Sequence, residues 1–230
     1  MAQVNPCADE APILFTDFLE EWLEMMKNSL EVTTYASYSV SIRRSIIPYF
    51  RDKKLTLQDL EKHPKYIQDY YQHELNSGLT ANTVIHRHAN IRKCLQYAFQ
   101  IGLIKSNPAD RVERPRKVKY VATIYNQEEL ETLFNVVRGD PIELAVILAA
   151  FYGLRRSEVV GLKWDAIDFE KKTFTIKHTV TQVTVDGKEV TIQKDRTKTK
   201  SSYRTLPLVP PFEELLHRLR QEQLINQKVC

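Results

Sequence analysis

The chain has 230 residues, 43% of them hydrophobic, which is enough to bury one large core or two modest ones. Its formal net charge of +4 is a mild basic excess that fits a nucleic-acid partner without establishing one. Three widely spaced cysteines, Cys7, Cys94 and Cys230, argue against a disulfide framework or a cysteine-based metal site. We expect a cytoplasmic protein with neither a signal peptide nor a membrane span. Residues 1–10 are polar and acidic, and the longest apolar run, Ile142–Tyr152, is too short to cross a bilayer.

Four helices are predicted in the first half, because apolar residues recur there at helical spacing. Their bounds are, in order, Phe15–Met26, a helix capped by Thr33 or Thr34 and ended by Pro48, a helix from Pro64 closed by Gly78, and Thr80–Ile101 closed by Gly102. Short connections between four helices favour a small bundle. The composition then changes: Arg111–Tyr120 reads RVERPRKVKY, a basic, proline-containing segment that suits neither helix nor strand.

The second half mixes helices and strands. Asn126 with Glu129 resembles a capping box, and the apolar helix from Asp140–Pro141 to Tyr152 is expected to be buried. The remaining elements are a short helix Ser157–Leu162, a strand Phe174–His178, a hairpin turning at Asp186–Gly187, a strand Tyr203–Leu208, and an amphipathic helix after Pro210–Pro211. We therefore predict a mixed fold: an all-α four-helix domain (11–110), a basic linker (111–121) and an α+β domain (122–230).

Two segments carry candidate chemistry. In Phe151–Asp168 a glycine ends a helix and Arg155 follows, with Glu158 one helical turn later and able to face it. An arginine at such a corner suits bidentate phosphate binding, although a surface ion pair explains the same residues. In Lys194–Leu208 five basic residues stand against one acid, which suits phosphate contact or an edge strand guarded by charge. On charge alone neither segment is decided.

The amino-acid sequences of these two segments resemble those of a known protein family. Residues 152–164 (YGLRRSEVVGLKW) resemble the first arginine box of tyrosine recombinases, and residues 198–208 (KTKSSYRTLPL) resemble their lysine hairpin, as written in integrases of conjugative transposons and Gram-positive phages. Thr34–Phe50, Gly78–Val84 and Gly102–Pro115 resemble the helical core-binding domain of that group. The resemblance runs from about Phe15 to Leu208. It implies a SAM-like helical DNA-binding domain followed by a tyrosine-recombinase catalytic domain, incomplete at its C-terminus.

The resemblance also implies roles. Arg155 is the first catalytic arginine, which holds the scissile phosphate; Glu158 supports it; and Lys198 is the lysine that protonates the leaving oxygen, with Lys200 as the rival. Fixed cations at these places stabilise the charge that gathers in the transition state. The remaining residues expected to contact DNA are Arg111, Arg114, Arg116, Lys117, Lys119, Lys194, Arg196, Lys200 and Arg204.

The sequence departs from the family towards its C-terminal end. The second box, His-x-x-Arg, has one literal match at His217–Arg220, which lies too soon after the lysine segment and on an amphipathic helix, so we interpret it as a helix surface. No tyrosine follows it, and we expect the 230-residue chain to lack the nucleophile and to be inactive in cleavage alone.

The expected partner is duplex recombination-site DNA, gripped by two domains as a clamp, with no cofactor, metal, membrane or small-molecule substrate. The full-length protein is expected to be a tetramer on DNA, and this chain a monomer. Two alternatives stay open: a non-catalytic integrase-derived regulator that only occupies sites, and a phosphate-binding enzyme or helical interaction module unrelated to DNA, whose affinity would barely change with salt. The target sequence, the host and the direction of recombination are not predicted.

Overall fold

The computed structural model describes residues 12–195 and 203–229, with side chains through residue 227. The chain divides into two compact units: a helical unit of Met1–Val121 with Val185–Lys188, and a mixed unit of Ala122–Thr184 with Glu189–Cys230. The helical unit followed by an α+β unit confirms the predicted fold class. No helix in the described ranges is both long and apolar enough to span a bilayer.

The helical unit contains the four predicted helices and one additional helix, and the second predicted helix is divided into two by a π-helical turn. Its elements are α1 (Phe15–Met26), α2 (Val32–Ser41), a π-helical turn (Ile42–Ile46), α3 (Ile47–Arg51), α4 (Leu57–Lys62), α5 (Lys65–Asn76) and α6 (Ala81–Gln100). The additional helix, α4, begins at a capping box in which Thr56 Oγ1 accepts from the Asp59 N–H and the Asp59 carboxylate accepts from the Thr56 N–H. The Thr-x-x-Asp signal was present in the sequence, and we had predicted no helix there.

Pro48 does not end the second helix, contrary to expectation. The chain continues as α3 through Pro48, because the π turn Ile42–Ile46 interrupts the regular hydrogen-bond ladder just before it. At such an interruption the missing N–H of proline removes no regular bond, so the usual cost of an interior proline is avoided. The observed N-cap residue, Glu31, lies two or three residues before the predicted caps Thr33 and Thr34.

The core of the helical unit is closed and aromatic. Phe15 packs edge-on against Phe50 with ring centroids 5.1 Å apart, and Tyr70 lies 5.4 Å from Phe50. Helix α6 adds an inner stripe that includes Val84, Ile91 and Leu95, all fully buried. Burial of large side chains on this scale is the main stabilising contribution to the unit.

The segment after α6 packs on the helical unit at its beginning. A 3-10 turn, Pro108–Arg111, is capped by Asn107, and Arg111 Nη1 donates to the Glu61 carbonyl at 3.1 Å. The Glu113 N–H donates to Gln68, and the Val118 carbonyl accepts from Asn82. Within 111–121 no helix or strand follows Arg111, as the proline and the run of charges had suggested.

The mixed unit contains four α-helices and five strands in the described ranges, with a 3-10 turn at Trp164–Ala166. They are α7 (Gln127–Val136), α8 (Glu143–Ala150), α9 (Arg156–Val160), β1 (Ile167–Asp168), β2 (Thr173–Ile176), β3 (Thr179–Val185), β4 (Lys188–Lys194), β5 (Arg204–Pro207) and α10 (Pro210–Val229). The capping box of Asn126 and Glu129 is present at α7 as predicted. Strands β1, β2 and β5 form one antiparallel sheet in the order β1-β2-β5, while β3 and β4 form a separate two-stranded ribbon.

The turn of the β3–β4 ribbon follows the sequence signal. Asp186 and Gly187 both have positive φ, 50° and 78°, which is the backbone that a two-residue type I′ hairpin requires. Asp-Gly is a favoured pair for that turn because aspartate tolerates the left-handed region and glycine adopts it freely. The short strand β1 escaped prediction, since two residues carry no periodicity.

Helix α8 is less buried than expected. We predicted full burial for this nearly uncharged helix, but only Leu148 is fully buried, and Ile142 and Phe151 beside it are exposed. The small core of the unit lies instead between the β2 face and α10, where Phe174, Ile176 and Phe212 pack together. The mixed unit therefore presents apolar surface at the two ends of α8, at Ile142 and Phe151.

Candidate phosphate-binding site

Arg155 lies at the N-cap of α9, directly after a sharp change of direction. Gly153, with φ +66°, allows the chain to leave the end of α8, and Arg155 then has an extended backbone. Its N–H donates to Glu158 Oε2 at 2.9 Å, and its Nη1 donates to Glu158 Oε1 at 2.9 Å. The side chain of Arg155 is 69% exposed. The guanidinium is therefore fixed at one corner and open to solvent elsewhere.

Glu158 is the buried centre of the site, with a side chain only 2% exposed. Besides Arg155 it binds Arg204, whose Nη1 donates to Oε1 at 3.2 Å and whose Nη2 donates to Oε2 at 3.0 Å. We refer to Arg155, Glu158 and Arg204 as the arginine cluster. It contains two positive charges and one negative charge, so it retains one excess positive charge.

The surroundings of Glu158 keep it ionised. Burial by itself raises the pKa of this carboxyl, but hydrogen bonds from Arg204 and from the backbone and side chain of Arg155 outweigh burial and lower the pKa to about 2. A buried carboxylate is stable only when it is paired and hydrogen-bonded in this way. The cluster thus stays charged over the whole neutral range.

The sheet brings Arg204 to the site. Strand β5 pairs antiparallel with β2, and Arg204 lies opposite Ile176 at the end of the ladder. The sequence indicated that Glu158 faces Arg155, and the structure has that contact. It gave no sign that Arg204 would join them across 46 residues of sequence. Arg204 was predicted as a DNA contact; its side chain is 28% exposed and its guanidinium fork faces Glu158.

Gly161 lets α9 approach the neighbouring strands closely. A Cβ atom at this position would lie 2.7 Å from the His178 carbonyl oxygen and 2.8 Å from Thr179 Cα. Real side chains do not occupy such space without displacing backbone, so glycine is required by close approach rather than by a left-handed φ. The end of α9 is therefore in direct contact with the β2–β3 junction.

His178 forms a second polar contact that the sequence did not suggest. It is buried, and its Nδ1 is hydrogen-bonded to Oδ1 of Asp195, the last described residue before 203. Lys163 Nζ lies 3.8 Å from the same carboxylate oxygen. The bond with His178 and the charge of Lys163 lower the pKa of Asp195. The end of β4 is thereby fixed to the β2–β3 junction.

The other predicted DNA contacts are distributed over both units. Arg111, Arg114, Arg116, Lys117 and Lys119 are all exposed. Lys194, at the end of β4, is partly buried. Arg196, Lys198 and Lys200 lie outside the described residues, so the choice between Lys198 and Lys200 stays open.

The His217–Arg220 segment makes contacts of its own, away from the arginine cluster. His217 stacks on Phe169 with ring centroids 4.3 Å apart, and Arg218 Nη2 donates to Glu143 at 2.6 Å. Arg220 lies over the rings of Trp164 and Phe169. These contacts agree with a structural helix face. In the described ranges no group of three or more His, Cys, Asp or Glu side chains is placed to hold a metal ion.

Known proteins resemble the chain in both sequence and fold. Residues 14–75 match the phage integrase N-terminal SAM-like domain. A tyrosine recombinase XerC-like protein of Caldanaerobacter subterraneus subsp. tengcongensis is 27% identical, covering 94% of this chain and 58% of that protein. The ICEBs1 integrase of Bacillus subtilis is 25% identical, covering 84% of this chain and 51% of that protein. The chain spans about half the length of these curated relatives.

A solved structure of the Tn1549 transposon integrase in complex with a circular intermediate DNA has the same fold. The TM-score is 0.65 at 16% identity, and the match covers 91% of this chain and 65% of that chain. The architecture is thus that of a two-domain integrase, with a SAM-like helical domain ahead of an α+β domain of the catalytic type. The chain is therefore similar in sequence to tyrosine recombinases and integrases, and it shares the fold of the integrase structures.

Proposed function

We propose that the protein is a site-specific DNA recombinase of a mobile element, an integrase, and that its two units bind duplex recombination-site DNA as a clamp. The observation that carries the proposal is the arginine cluster, in which a buried carboxylate fixes a solvent-open arginine at the position of the family's first arginine box. Relatives named as integrases and recombinases match over most of the chain and support the same reading.

In this proposal Arg155 binds a non-bridging oxygen of the scissile phosphate. A guanidinium presents parallel N–H groups that fit a phosphate, and only one Nη of Arg155 is engaged by Glu158. Glu158 orients the arginine, and Lys198, or Lys200 in its place, donates a proton to the leaving oxygen. Strand cleavage in the family transfers the phosphate to a tyrosine hydroxyl, so the energy of the broken bond is kept in a covalent intermediate.

The basic segment 111–119 is proposed to follow the DNA backbone. Its five cations are exposed and its first residues are hydrogen-bonded to the helical unit, so they are held near a fixed surface. Such contacts give affinity and position without sequence selectivity. Lys194 and Arg196 extend the same role in the mixed unit. We further propose a cytoplasmic location, a monomeric 230-residue chain in free solution, and a tetramer of the full-length protein on DNA.

A salt titration of DNA binding tests the proposal. If roughly five to eight phosphates are neutralised, the slope of log K against log salt is about −4.5 to −7, and affinity falls by about three to four orders of magnitude between roughly 50 and 200 mM salt. Affinity that is flat across this range would contradict the proposal and favour a function unrelated to DNA.

A second test concerns the nucleophile. We propose that the 230-residue chain binds DNA and forms no covalent adduct, because Tyr203 is the last tyrosine in it and nothing in the family pattern gives that residue the role. Attack also requires the hydroxyl in line with the leaving oxygen. Labelled site DNA is incubated with the chain and analysed on a denaturing gel. A shifted band that survives boiling and disappears in Tyr203→Phe would overturn this part of the proposal.

A further inference from the structure

The acceptor capacity of Glu158 is completely used. A carboxylate has two oxygens with about four lone-pair positions for hydrogen bonds. Oε1 accepts from Arg155 Nη1 and Arg204 Nη1, and Oε2 accepts from the Arg155 N–H and Arg204 Nη2. Four donors therefore fill four positions, and two of the four belong to Arg204.

The two arginines bind this carboxylate differently. Arg204 makes the bidentate contact, with both Nη groups on the two oxygens, whereas the side chain of Arg155 makes a single contact through Nη1. The exposed fractions follow the same order, 28% for Arg204 and 69% for Arg155. Arg204 is thus the arginine that the carboxylate holds most fully, and Arg155 is the one that keeps free N–H groups towards solvent.

From this arrangement we infer that Arg204 is a positioning residue: it occupies the bidentate face of Glu158 so that Arg155 is oriented by one bond and keeps its remaining guanidinium N–H groups for a phosphate. The inference rests on the proposed function, because the phosphate belongs to the DNA backbone. It replaces our sequence-based assignment of Arg204 as a direct DNA contact.

Charge leads to the same conclusion. With Arg204 in place the cluster carries one excess positive charge, and without it Arg155 and Glu158 would neutralise each other. A carboxylate freed of its fork would also offer two acceptor positions to Arg155, in the geometry that arginine–carboxylate pairs favour. Glu158 would then occupy the N–H groups of Arg155, and a phosphate would have to compete with Glu158 for them. Both effects lower phosphate affinity although neither touches DNA.

The test is a double-mutant cycle on DNA binding, with a mixed-sequence duplex as the probe. Arg155→Ala and Arg204→Ala are each expected to lower the magnitude of the salt slope by about one phosphate, near 0.9. The double variant should lower it by the same single step, because Arg204 acts through Arg155. A loss of two steps in the double variant would mean that Arg204 contacts DNA itself and would overturn the inference.

Two further variants sharpen the cycle. Adding Glu158→Gln to Arg204→Ala removes the carboxylate charge that captures Arg155, so the slope should recover most of the lost step. Failure to recover, in a variant with wild-type melting behaviour, contradicts the inference. Arg218→Ala is the matched control, since Arg218 also pairs with a glutamate of this unit, Glu143, outside the arginine cluster. It should leave the slope unchanged.

A measurement without DNA separates this inference from the proposed function. Carboxyl ¹³C NMR follows the titration of Glu158 in the free protein, and Arg204→Lys serves if Arg204→Ala does not fold. Losing the fork should raise the pKa of Glu158 from about 2 towards its ordinary value of 4.5, and should slow hydrogen exchange at the Arg155 guanidinium. An unchanged titration and unchanged exchange would refute the inference even if DNA binding is as proposed. A wild-type chain that does not bind DNA would refute the proposed function and leave the positioning of Arg155 by Arg204 untouched.

Discussion

Both units of the molecule bury a glutamate, and they neutralise it differently. In the helical unit Glu74 of α5 is paired with Arg87 of α6, and both side chains are largely buried. In the mixed unit Glu158 is shared by two arginines, one of them mostly exposed. One positive charge for one negative charge makes a closed structural pair. Two positive charges for one negative charge leave one excess positive charge, and one of the two arginines, Arg155, is mostly exposed to solvent.

The largest expected effect follows from the closed pair. Glu74→Gln leaves Arg87 buried without its counter-charge, and breaking a buried pair typically costs about 3–5 kcal/mol of unfolding free energy. Arg155→Ala removes a mostly exposed arginine and leaves Glu158 paired with Arg204, so it should cost about 1 kcal/mol or less. Denaturant unfolding of the two variants measures both. Equal costs would abolish the distinction between the two glutamates.

The next largest effect is expected at low pH, where protonation of Glu158 should destabilise the mixed unit. The folded pKa of Glu158 is about 2, below its ordinary 4.5, so its contribution is fully present above pH 4.5 and is lost as the pH falls towards 2. The loss is at most about 1.4 kcal/mol per pH unit. Unfolding free energy measured across this window should fall less steeply in Glu158→Gln than in the wild type. Parallel pH profiles would show that the carboxylate is not held as described.

Helix caps allow a direct comparison, because α4 of the helical unit and α7 of the mixed unit both begin at a capping box. Thr56→Ala at α4 and Asn126→Ala at α7 each remove a side-chain acceptor at a helix N-terminus, and each should cost about 1 kcal/mol. Thermal melts of the two variants are the measurement. If only one of the two substitutions lowers the melting temperature, the helix in the other unit does not depend on its cap. The two units would then differ in helix capping as well as in how they neutralise a buried glutamate.

The smallest effect is expected on the apolar surface of the mixed unit. Ile142→Ser and Phe151→Ser change residues that are more than half exposed, so stability should change by no more than about 0.5 kcal/mol. Binding of a hydrophobic dye should decrease in the same variants. The matched change in the helical unit is Ile91→Ser, at a fully buried position, and it should unfold that unit. A large loss of stability in Phe151→Ser would mean that α8 is packed after all.

Much of the fold followed from local rules. Glycines at helix ends, the capping box at Asn126 and the Asp186–Gly187 turn act within a few residues, so the sequence contains the whole cause. The interior of α8 did not follow, because the apolar character of a helix predicts a need for burial and does not say which partner supplies it. Pro48 was misjudged since a π turn depends on packing around the helix rather than on one residue.

For the candidate site the division is similar. Arg155 and Glu158 are three residues apart on one turn, and their contact could be predicted from helical spacing. Arg204 reaches Glu158 only through the pairing of β5 with β2, which depends on the register of distant strands. His178 and Asp195 meet through the same long-range arrangement. Pairs that tertiary structure creates have no local signal in a single sequence.

Gly161 has a consequence for how the site tolerates change. A Cβ atom at position 161 would lie less than 3.0 Å from backbone atoms of the β2–β3 junction, so even alanine would force the helix and the strand apart. Glu158 lies one turn earlier on the same helix, while Arg204 is anchored to the sheet side. Widening that gap would stretch the bonds between them without altering a charged group. Gly161 therefore helps to set the distance between Glu158 and Arg204.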